Sequence, residues 1–306
     1  MWTLKLIAAD TKMEFVRYRL MAFVLSALLL IGSVGAFISN GLNFGIDFKG
    51  GTLIEISSDI EIDIAQLREQ LTGLNIGEVQ IQQFGTPSDA LIRVSADEAA
   101  ESAEGGLSAV ESIRNELQGR FEIRRVEIVG PQVSGELIQT GILAVLAAIV
   151  SMLIYIWFRF EWQFSVGAVL ALIHDVVLTI GIFSLLQLDF NLSILAAILT
   201  IVGYSMNDTV VVYDRVRENL RKFKKMPLDD LLNVAINETL SRTVMTSVTT
   251  LIALIALYTL GGEVIRGFTF AMIWGVVVGT YSSVFVASPL LLYLGVKRDW
   301  SGNQTD

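Results

Sequence analysis

Four ionisable residues lie in or at the start of apolar stretches, where a charge costs most free energy. Asp208 lies within VGYSMNDTVVVYD, His174 and Asp175 are adjacent in a second stretch, and Arg242 begins a third. By default, ionisable residues at membrane depth mark a functional pathway. A desolvated carboxylate beside a permanently charged guanidinium can gain or lose a proton as its surroundings change. The sequence therefore predicts a proton relay at Asp208 and Arg242.

Helical spacing gives each of these two residues polar neighbours. Tyr204 and Asp208 share one helix face, and Arg242 and Thr246 share a face of the next helix. Because the two helices run in opposite directions, we expect Asp208 and Arg242 to meet just inside the cytoplasmic boundary. A static ion pair that pins two helices together is the alternative.

Further polar residues are candidates for lining the same pathway. They are His174, Asp175, Tyr204, Asn207 and Thr246. His174 and Asp175 can lie at the end of a chain of water molecules, or His174 can simply hydrogen-bond across helices. The sequence has no Cys and a single His, which excludes thiol chemistry and leaves no cluster for zinc, so no metal site is predicted.

Composition indicates that these residues are held by membrane-spanning helices. Of the 306 residues, 53% are hydrophobic and 17% are charged, against roughly 25% charged in a typical soluble protein. Six apolar stretches have about the length needed to cross a bilayer, roughly 17–25 residues, at 20–38, 137–158, 164–186, 192–213, 244–260 and 268–294. Since lipid offers no hydrogen bonds, these should be helices. The first is too long for a cleaved signal peptide, so we expect it to remain.

The distribution of Lys and Arg predicts the orientation of the chain. Basic residues cluster before the first span, after the fourth and in the tail, at Lys5, Lys12, Arg17, Arg19, Arg215, Arg217, Arg221, Lys222, Lys224, Lys225, Lys297 and Arg298. We expect both termini in the cytoplasm. The predicted divisions are a cytoplasmic segment (1–19), the first helix (20–39), an outer domain (40–134), helices two to six (135–294) and a cytoplasmic tail (295–306).

The outer segment 40–134 holds sixteen acidic and seven basic residues and so carries the whole net charge of −9. Strand-like and helical patterns alternate as β-α-β-β-α-β at 52–57, 63–72, 79–84, 90–95, 107–118 and 121–129, with a mobile loop at 97–106. This order is typical of a ferredoxin-like α+β fold. An acidic surface disfavours nucleic acid, and no catalytic group stands out, so we expect a binding module and not an enzyme.

Two glycine-containing junctions join the outer domain to the spans. In NFGIDFKGGT, which includes Asp47, the pair Gly50 and Gly51 predicts a tight turn into the first strand. Gly130 and Pro131, followed by Gly135, are expected to do the same on the return. A phosphate-binding loop is the alternative for FKGGT, but the P-loop spacing is absent.

Two other stretches of the spans have distinct patterns. Residues 228–242 have apolar positions at helical spacing and predict an amphipathic cytoplasmic helix running into the fifth span. In the sixth span, Gly275, Gly279, Ser282 and Ser283 predict close helix packing, and Pro289 predicts a kink.

Together, GIDFKGGT, VGPQVSGEL, HDV and VGYSMNDTVVVYDRVREN resemble the SecD/SecF family of bacterial protein-export membrane proteins over nearly the whole chain. The resemblance implies a six-helix half of an RND-like transporter in the bacterial inner membrane, paired with SecD. It also implies association with SecYEG, YajC and YidC, a preprotein substrate, lipid contact, and no cofactor besides protons. The family's relay acid and arginine fall on Asp208 and Arg242.

The resemblance implies an accessory subunit of the Sec translocase that uses the proton-motive force late in preprotein translocation. Two other hypotheses remain: an RND-like exporter of small molecules or lipids, and a scaffold that transports nothing. The small acidic outer domain weighs against the exporter.

Overall fold

The computed structural model describes residues 11–74, 76–95 and 103–296. In these ranges the helices are, in chain order, Arg19–Asn40 (α1), Ile46–Lys49 (α2), Ile64–Thr72 (α3), Ala103–Leu117 (α4), Pro131–Arg159 (α5), Trp162–Leu186 (α6), Leu192–Lys222 (α7), Leu228–Leu260 (α8), Arg266–Ser282 (α9) and Ser288–Leu290 (α10). The strands are Asn43–Phe44 (β1), Gly51–Ser57 (β2), Val79–Phe84 (β3), Thr86–Val94 (β4), Glu122–Val129 (β5) and Asp189–Phe190 (β6).

Six helices are long and apolar enough to cross a membrane, by length and composition, as the sequence predicts. They are α1, α5, α6, α7, α8 and the run from α9 to α10. Half or more of the apolar part of α6, α7 and α9 is buried inside the chain, whereas α1, α5 and α8 bury little. The chain is therefore a polytopic helical membrane protein in which α6, α7 and α9 form the centre.

Between α1 and α5 lies a four-stranded antiparallel sheet with the order β3-β4-β2-β5. β2 is central because it pairs with both β4 and β5. Alternate residues of β2 point to the same face, and Ile54 and Ile56 are fully buried under α3 and α4. The domain thus has its own apolar core, and the opposite face of the sheet faces the membrane helices.

Several predicted boundaries were wrong. The loop expected at 97–106 lies partly outside the described residues, and its last four residues belong to α4, which begins at Ala103. α5 begins at Pro131, because proline is well tolerated in the first turn of a helix, where no intrahelical donor is needed. Gly130 has an ordinary φ of −72°, and Gly135 lies inside α5, so neither supplies a turn that other residues resist.

The amphipathic segment 228–242 and the fifth span form one uninterrupted helix, α8. Neither Gly nor Pro occurs between Leu228 and Leu260 to break it. The backbone N–H groups of Met13 and Val16 donate to side-chain oxygens of Asn237 and Asn233, each at 3.0 Å. The segment before α1 is thereby fastened to the first turns of α8.

α7 and α9 run parallel and approach closely through small residues. A Cβ added to Gly275 would lie 2.3 Å from Ile201, and one added to Gly279 would lie 2.9 Å from Cβ of Ser205. The predicted close packing is therefore present. A π-helical turn at Ser283–Ala287 follows α9, directly before Pro289, which has no N–H to continue the helical ladder.

Candidate functional site

Asp175 is fully buried and is the centre of a hydrogen-bonded cluster in the middle of the helices. Its Oδ2 accepts from the hydroxyl of Ser205 on α7 (2.5 Å) and from that of Ser282 on α9 (2.7 Å). Its Oδ1 lies 2.9 Å from Nδ1 of His174. A buried carboxylate requires such partners, and these join α6, α7 and α9 at one point.

His174 is 3% exposed and connects this cluster to α1. Its ring stacks on Tyr281, with ring centres 6.1 Å apart. The Tyr281 hydroxyl donates to the carbonyl oxygen of Ala22 (3.0 Å) and lies 3.0 Å from the hydroxyl of Ser26. Nε2 of His174 has no hydrogen-bond partner among the described residues. Because buried polar atoms are normally hydrogen-bonded, this unpaired nitrogen distinguishes His174 from the other members of the cluster.

Close helix approach makes the cluster possible. Gly279 leaves room for Ser205 beside α9, and a Cβ added at Gly181 would lie 2.2 Å from Ser33 on α1. One turn further along α7, the hydroxyls of Thr209 and Ser283 lie 2.8 Å apart. Small residues thus bring the polar groups of four helices within hydrogen-bond distance.

Asp208 is also buried, at 3% exposure, but its surroundings differ from those of Asp175. Its Oδ2 has no hydrogen-bond partner in the described part of the chain. Neighbouring Asn207 is exposed, and Arg242 on α8 is exposed. Asp208 therefore lies at the edge of the buried interior, next to a polar surface that this chain leaves uncovered.

Asp208 and Arg242 do not form the expected ion pair: within the described ranges no ion pair of 4.0 Å or less joins them. Arg242 is nevertheless close enough for its charge to act on the Asp208 carboxyl group. Nearby, the Tyr204 hydroxyl on α7 donates to Oγ1 of Thr250 on α8 (3.4 Å) and so links the two antiparallel helices.

The other predicted pathway residues fall into two groups. Tyr204 and Thr246 lie half-buried at the α7–α8 contact, and the Thr246 hydroxyl donates to the carbonyl oxygen of Thr243 on its own helix (2.9 Å). His174 and Asp175 belong to the interior cluster on the other side of α7. No group of three or more His, Asp or Glu suited to a metal ion occurs in residues 11–74, 76–95 and 103–296.

At the outer end of the helices, the chain leaving α1 is fastened to the start of α7. β1 pairs in parallel with β6, and the backbone N–H of Gly45 donates to the carbonyl oxygen of Phe190 (2.8 Å). Oδ2 of Asp47 accepts from the backbone N–H of Leu192, the first residue of α7 (2.9 Å). We call Asn43–Asp47 with Asp189–Leu192 the junction clamp.

Gly50 and Gly51 lead from the junction clamp into β2. Both have a positive φ, of 75° and 122°, which side chains with a Cβ resist. A Cβ on Gly51 would also lie 2.3 Å from the carbonyl oxygen of Val94. Glycine is required at position 51 by backbone angle and by space, and no phosphate ligand is needed to explain it.

Sequence reasoning did not identify Ser205 as a partner of Asp175, and it assigned Ser282 to packing alone. Single serines in apolar helices resemble spacers, and the contact depends on how helices distant in sequence are arranged. The usable signal was the requirement that a buried Asp175 must have donors nearby. Arg93 and Asp189, which form an ion pair of 3.0 Å, were missed for the same reason.

The comparisons with known proteins identify the family of this chain. Residues 109–297 match the family described as protein export membrane protein SecD/SecF, C-terminal, and residues 35–59 match the SecD/SecF GG motif. The chain belongs to the SecD/SecF family. The GG motif of the family contains Gly50 and Gly51, whose geometry is described above.

Relatives within the SecD/SecF family cover almost the whole chain. The protein translocase subunit SecF of Rhodobacter capsulatus is 48% identical over 97% of this chain and 93% of its own length. That of Rickettsia rickettsii is 44% identical over 95% and 94%. The crystal structure of SecDF from Thermus thermophilus, a translocon-associated membrane protein, has a TM-score of 0.84 and 37% identity over 96% of this chain.

A second SecDF structure, described as a super-membrane-facing form, has a TM-score of 0.66 at the same identity. This chain spans 39% of the length of either SecDF chain. The structural match therefore covers about two fifths of each SecDF chain.

Proposed function

We propose that this chain is the SecF-type accessory subunit of the Sec protein translocase. Together with SecD, it uses the proton-motive force to promote late stages of preprotein translocation. The observation that carries the proton role is the buried Asp208, whose Oδ2 has no hydrogen-bond partner among the residues that the structure describes and which lies beside an uncovered polar surface. The names of the relatives support the translocase role.

The proposed location is the bacterial inner membrane, with both termini in the cytoplasm. The cluster of Lys and Arg at the end of α7 supports this orientation. It puts the β-α-β-β-α-β domain, which we regard as ferredoxin-like from its strand order, in the periplasm at about 40–134. Residues 1–19 and 295–306 are then cytoplasmic.

Asp208 and Arg242 are the proposed relay pair. Arg242 keeps its charge under all relevant conditions, so the carboxylate is the member that gains and loses the proton. Among the described residues they do not form an ion pair of 4.0 Å or less, although the Arg242 charge acts on Asp208. A movement of α8 against α7 that brought the guanidinium onto the carboxylate would favour the charged carboxylate, and the proton would then be released. Motion and protonation are coupled in this way.

Tyr204, Asn207 and Thr246 are proposed to line the proton path, since they lie at the α7–α8 contact or beside Asp208. His174 and Asp175 are the proposed inner branch of the path, because Nε2 of His174 is a buried polar atom without a hydrogen-bond partner among the described residues. The junction residues Asp47, Gly50, Gly51, Gly130 and Pro131 are proposed to be structural. No cofactor other than protons is required by this scheme.

SecD is the proposed partner for the uncovered polar surface. Thr200, Asn207, Arg242 and Thr249 are exposed on α7 and α8. Polar groups at membrane depth avoid lipid and face protein or water-filled cavities. Since this chain spans 39% of a SecDF chain, a SecD-like half is the natural cover. SecYEG, YajC, YidC and the preprotein are proposed as further partners, with lipid around α1 and α5.

The test compares Asp208→Asn and Arg242→Met with Asp214→Asn in the assembled complex. Asp214 is 55% exposed and pairs with Arg159 (2.8 Å), which makes it a matched control outside the proposed path. We expect the first two variants to abolish proton-motive stimulation of preprotein translocation in membrane vesicles, while Asp214→Asn retains it. Normal stimulation in Asp208→Asn would refute the proton role.

A deletion strain and the same substitutions separate the two other hypotheses. If the protein exports small molecules, the deletion strain should process preproteins normally and change its drug or lipid sensitivity. A pure scaffold would give proton conductance that no charge substitution in the helices alters.

A further inference from the structure

α7 is one continuous helix that reaches from the proposed proton site to the outer domain. It spans Leu192–Lys222 and carries Ser205 and Asp208. Asp208 lies sixteen residues from Leu192, about 24 Å along the axis. A helix is stiff over this distance, so a displacement near Asp208 reaches the outer end.

At that outer end, Asp47 holds the first turn of α7 from outside the helix. Its carboxylate accepts the backbone N–H of Leu192, a donor that has no partner inside the helix. A negative charge at this position is favoured by the helix dipole. Asp47 belongs to α2, which leads through Gly50 and Gly51 directly into β2, the central strand of the outer sheet.

Asp189, three residues before α7 in β6, makes a second connection to the sheet. Its Oδ2 lies 3.0 Å from Nη2 of Arg93 on β4 and accepts from Nε2 of Gln82 on β3 (3.1 Å). Its Oδ1 accepts from Nδ2 of Asn43 (2.8 Å). The Arg93 side chain is 10% exposed and that of Asp189 is 30% exposed, so this ion pair is partly shielded from water and salt.

Much of the open face of the sheet is separated from the outer ends of α6, α8 and α9 by a cleft of about 840 Å³, which Asp47 and Asp189 help to line. The contacts of Asp47 and Asp189 bridge the two parts beside this cleft, and Glu263, just before α9, also lies against the sheet at Gly85. Because both contacts involve a charged group, they are stronger than hydrogen bonds between neutral groups.

We propose that Asp47 and Asp189 form a rigid link that transmits displacement of α7 to the outer domain. This inference rests on the proposed function, because it assigns the route from proton binding to the domain that faces the emerging chain. Asp47 and Asp189 are positioning residues in it and do not touch the proton. Substitution of Asp47 or Asp189 should therefore reduce the stimulation of translocation and leave proton uptake intact, whereas substitution of Asp208 should reduce both.

The test uses Asp47→Ala and Asp189→Ala in the assembled complex, with Asp59→Ala as the control. Asp59 is an exposed acid of the same domain, away from the junction clamp. Two quantities are measured in the same vesicles: proton uptake, with a pH-sensitive dye, and proton-motive stimulation of preprotein translocation.

We expect Asp47→Ala and Asp189→Ala to keep proton uptake within about twofold of the parent. Stimulation should fall about tenfold or more, the factor that corresponds to losing one charge-assisted hydrogen bond. Asp59→Ala should change neither. Unchanged stimulation in both junction variants would overturn the link. So would a parallel loss of proton uptake, because the residues would then only support the proton site.

Asp208→Asn in the same assay distinguishes the two proposals. If it loses uptake and stimulation while the junction variants lose neither, the link fails and the proton role stands. If Asp208→Asn loses neither, the proton role fails, and the link fails with it because there is no displacement to transmit.

A covalent replacement for the link gives an independent measurement. The chain has no Cys, and a Cβ on Gly45 would lie 3.3 Å from Cβ of Asn191, close to the separation in disulfides. In the background of Asp47→Ala, oxidised Gly45→Cys/Asn191→Cys should recover stimulation, and the reduced form should not. A cross-link that blocks stimulation and is relieved by reductant would overturn rigid transmission.

Discussion

Two hydroxyl groups donate to Oδ2 of Asp175, and removing them tests whether each contributes more to stability when the other is absent. Ser205 and Ser282 approach this oxygen from α7 and α9, at 2.5 and 2.7 Å. Alanine at either position removes one donor without adding volume. The fully buried carboxylate then retains the other hydroxyl and His174.

The expected cost follows from the charge of the acceptor. A hydrogen bond to a charged group contributes about 1.5–3 kcal/mol, so each single variant should lower the free energy of unfolding by about that amount. In the double variant Oδ2 has lost both hydroxyl donors. Because the first loss is partly compensated by the remaining hydroxyl and the second is not, the double loss should exceed the sum of the single losses by about 0.5–3 kcal/mol.

The assay is the free energy of unfolding of the purified chain in mixed micelles, titrated with a denaturing detergent. Thr249→Ala is the matched control, because the exposed Thr249 hydroxyl donates only within its own helix, to the carbonyl oxygens of Met245 and Thr246. It should change stability by less than about 0.5 kcal/mol. Single variants no worse than this control, or a strictly additive double variant, would refute the shared-acceptor reasoning.

Three further predictions concern close packing and charge. Gly279→Ala should force α7 and α9 apart and destabilise the purified chain by about 1–3 kcal/mol, whereas Gly203→Ala, which has open space around it, should be neutral or stabilising in the same titration. Gly51→Ala should make the outer domain sensitive to limited proteolysis, because its φ of 122° and the nearby carbonyl both exclude a Cβ. Hydrogen bonds from Ser57 and Thr86 hold the pKa of Asp89 below its usual range. Its stabilising contribution should therefore be complete above about pH 3.9 and disappear as pH falls through the lower folded pKa; a pH titration of stability in which Asp89→Asn follows the parent at all pH values would contradict this.

The membrane helices and the outer domain were predictable because their signals are local. Apolar length alone locates the spans, and in the domain the alternation that buries Ile54 and Ile56 is visible in TLIEIS. Boundaries were less predictable. The polar residues that follow Pro131 concealed the first turns of α5, whereas the amphipathic pattern that merges into an apolar one correctly predicted that α8 continues into the fifth span.

The candidate site was predictable in its residues but not in its contacts. The cost of burying a charge identified Asp175, His174 and Asp208 from sequence. Which side chains meet depends on how the helices are arranged in space: Tyr204 of α7 reaches Thr250 of α8, whereas Asp208 and Arg242 do not form an ion pair among the described residues. Partners such as Ser205 come from other helices, and nothing local in the sequence distinguishes them from packing residues.

The difference between the two buried carboxylates indicates which part of the molecule is fixed and which part moves. Asp175 is held by donors from its own helix, from α7 and from α9, so any separation of these three helices would leave a buried charge unpaired. That cost favours their movement as one body. Oδ2 of Asp208 has no hydrogen-bond partner in the described part of the chain, and Asp208 lies near Arg242 of α8, a helix that buries little of its surface in this chain. We therefore expect a change in the protonation of Asp208 to move α7 relative to α8 and to the subunit that covers them, because this movement costs the least free energy. Because the Asp175 cluster holds α6, α7 and α9 together, these three helices should move as one rigid body, and the junction clamp should transmit that movement to the outer domain.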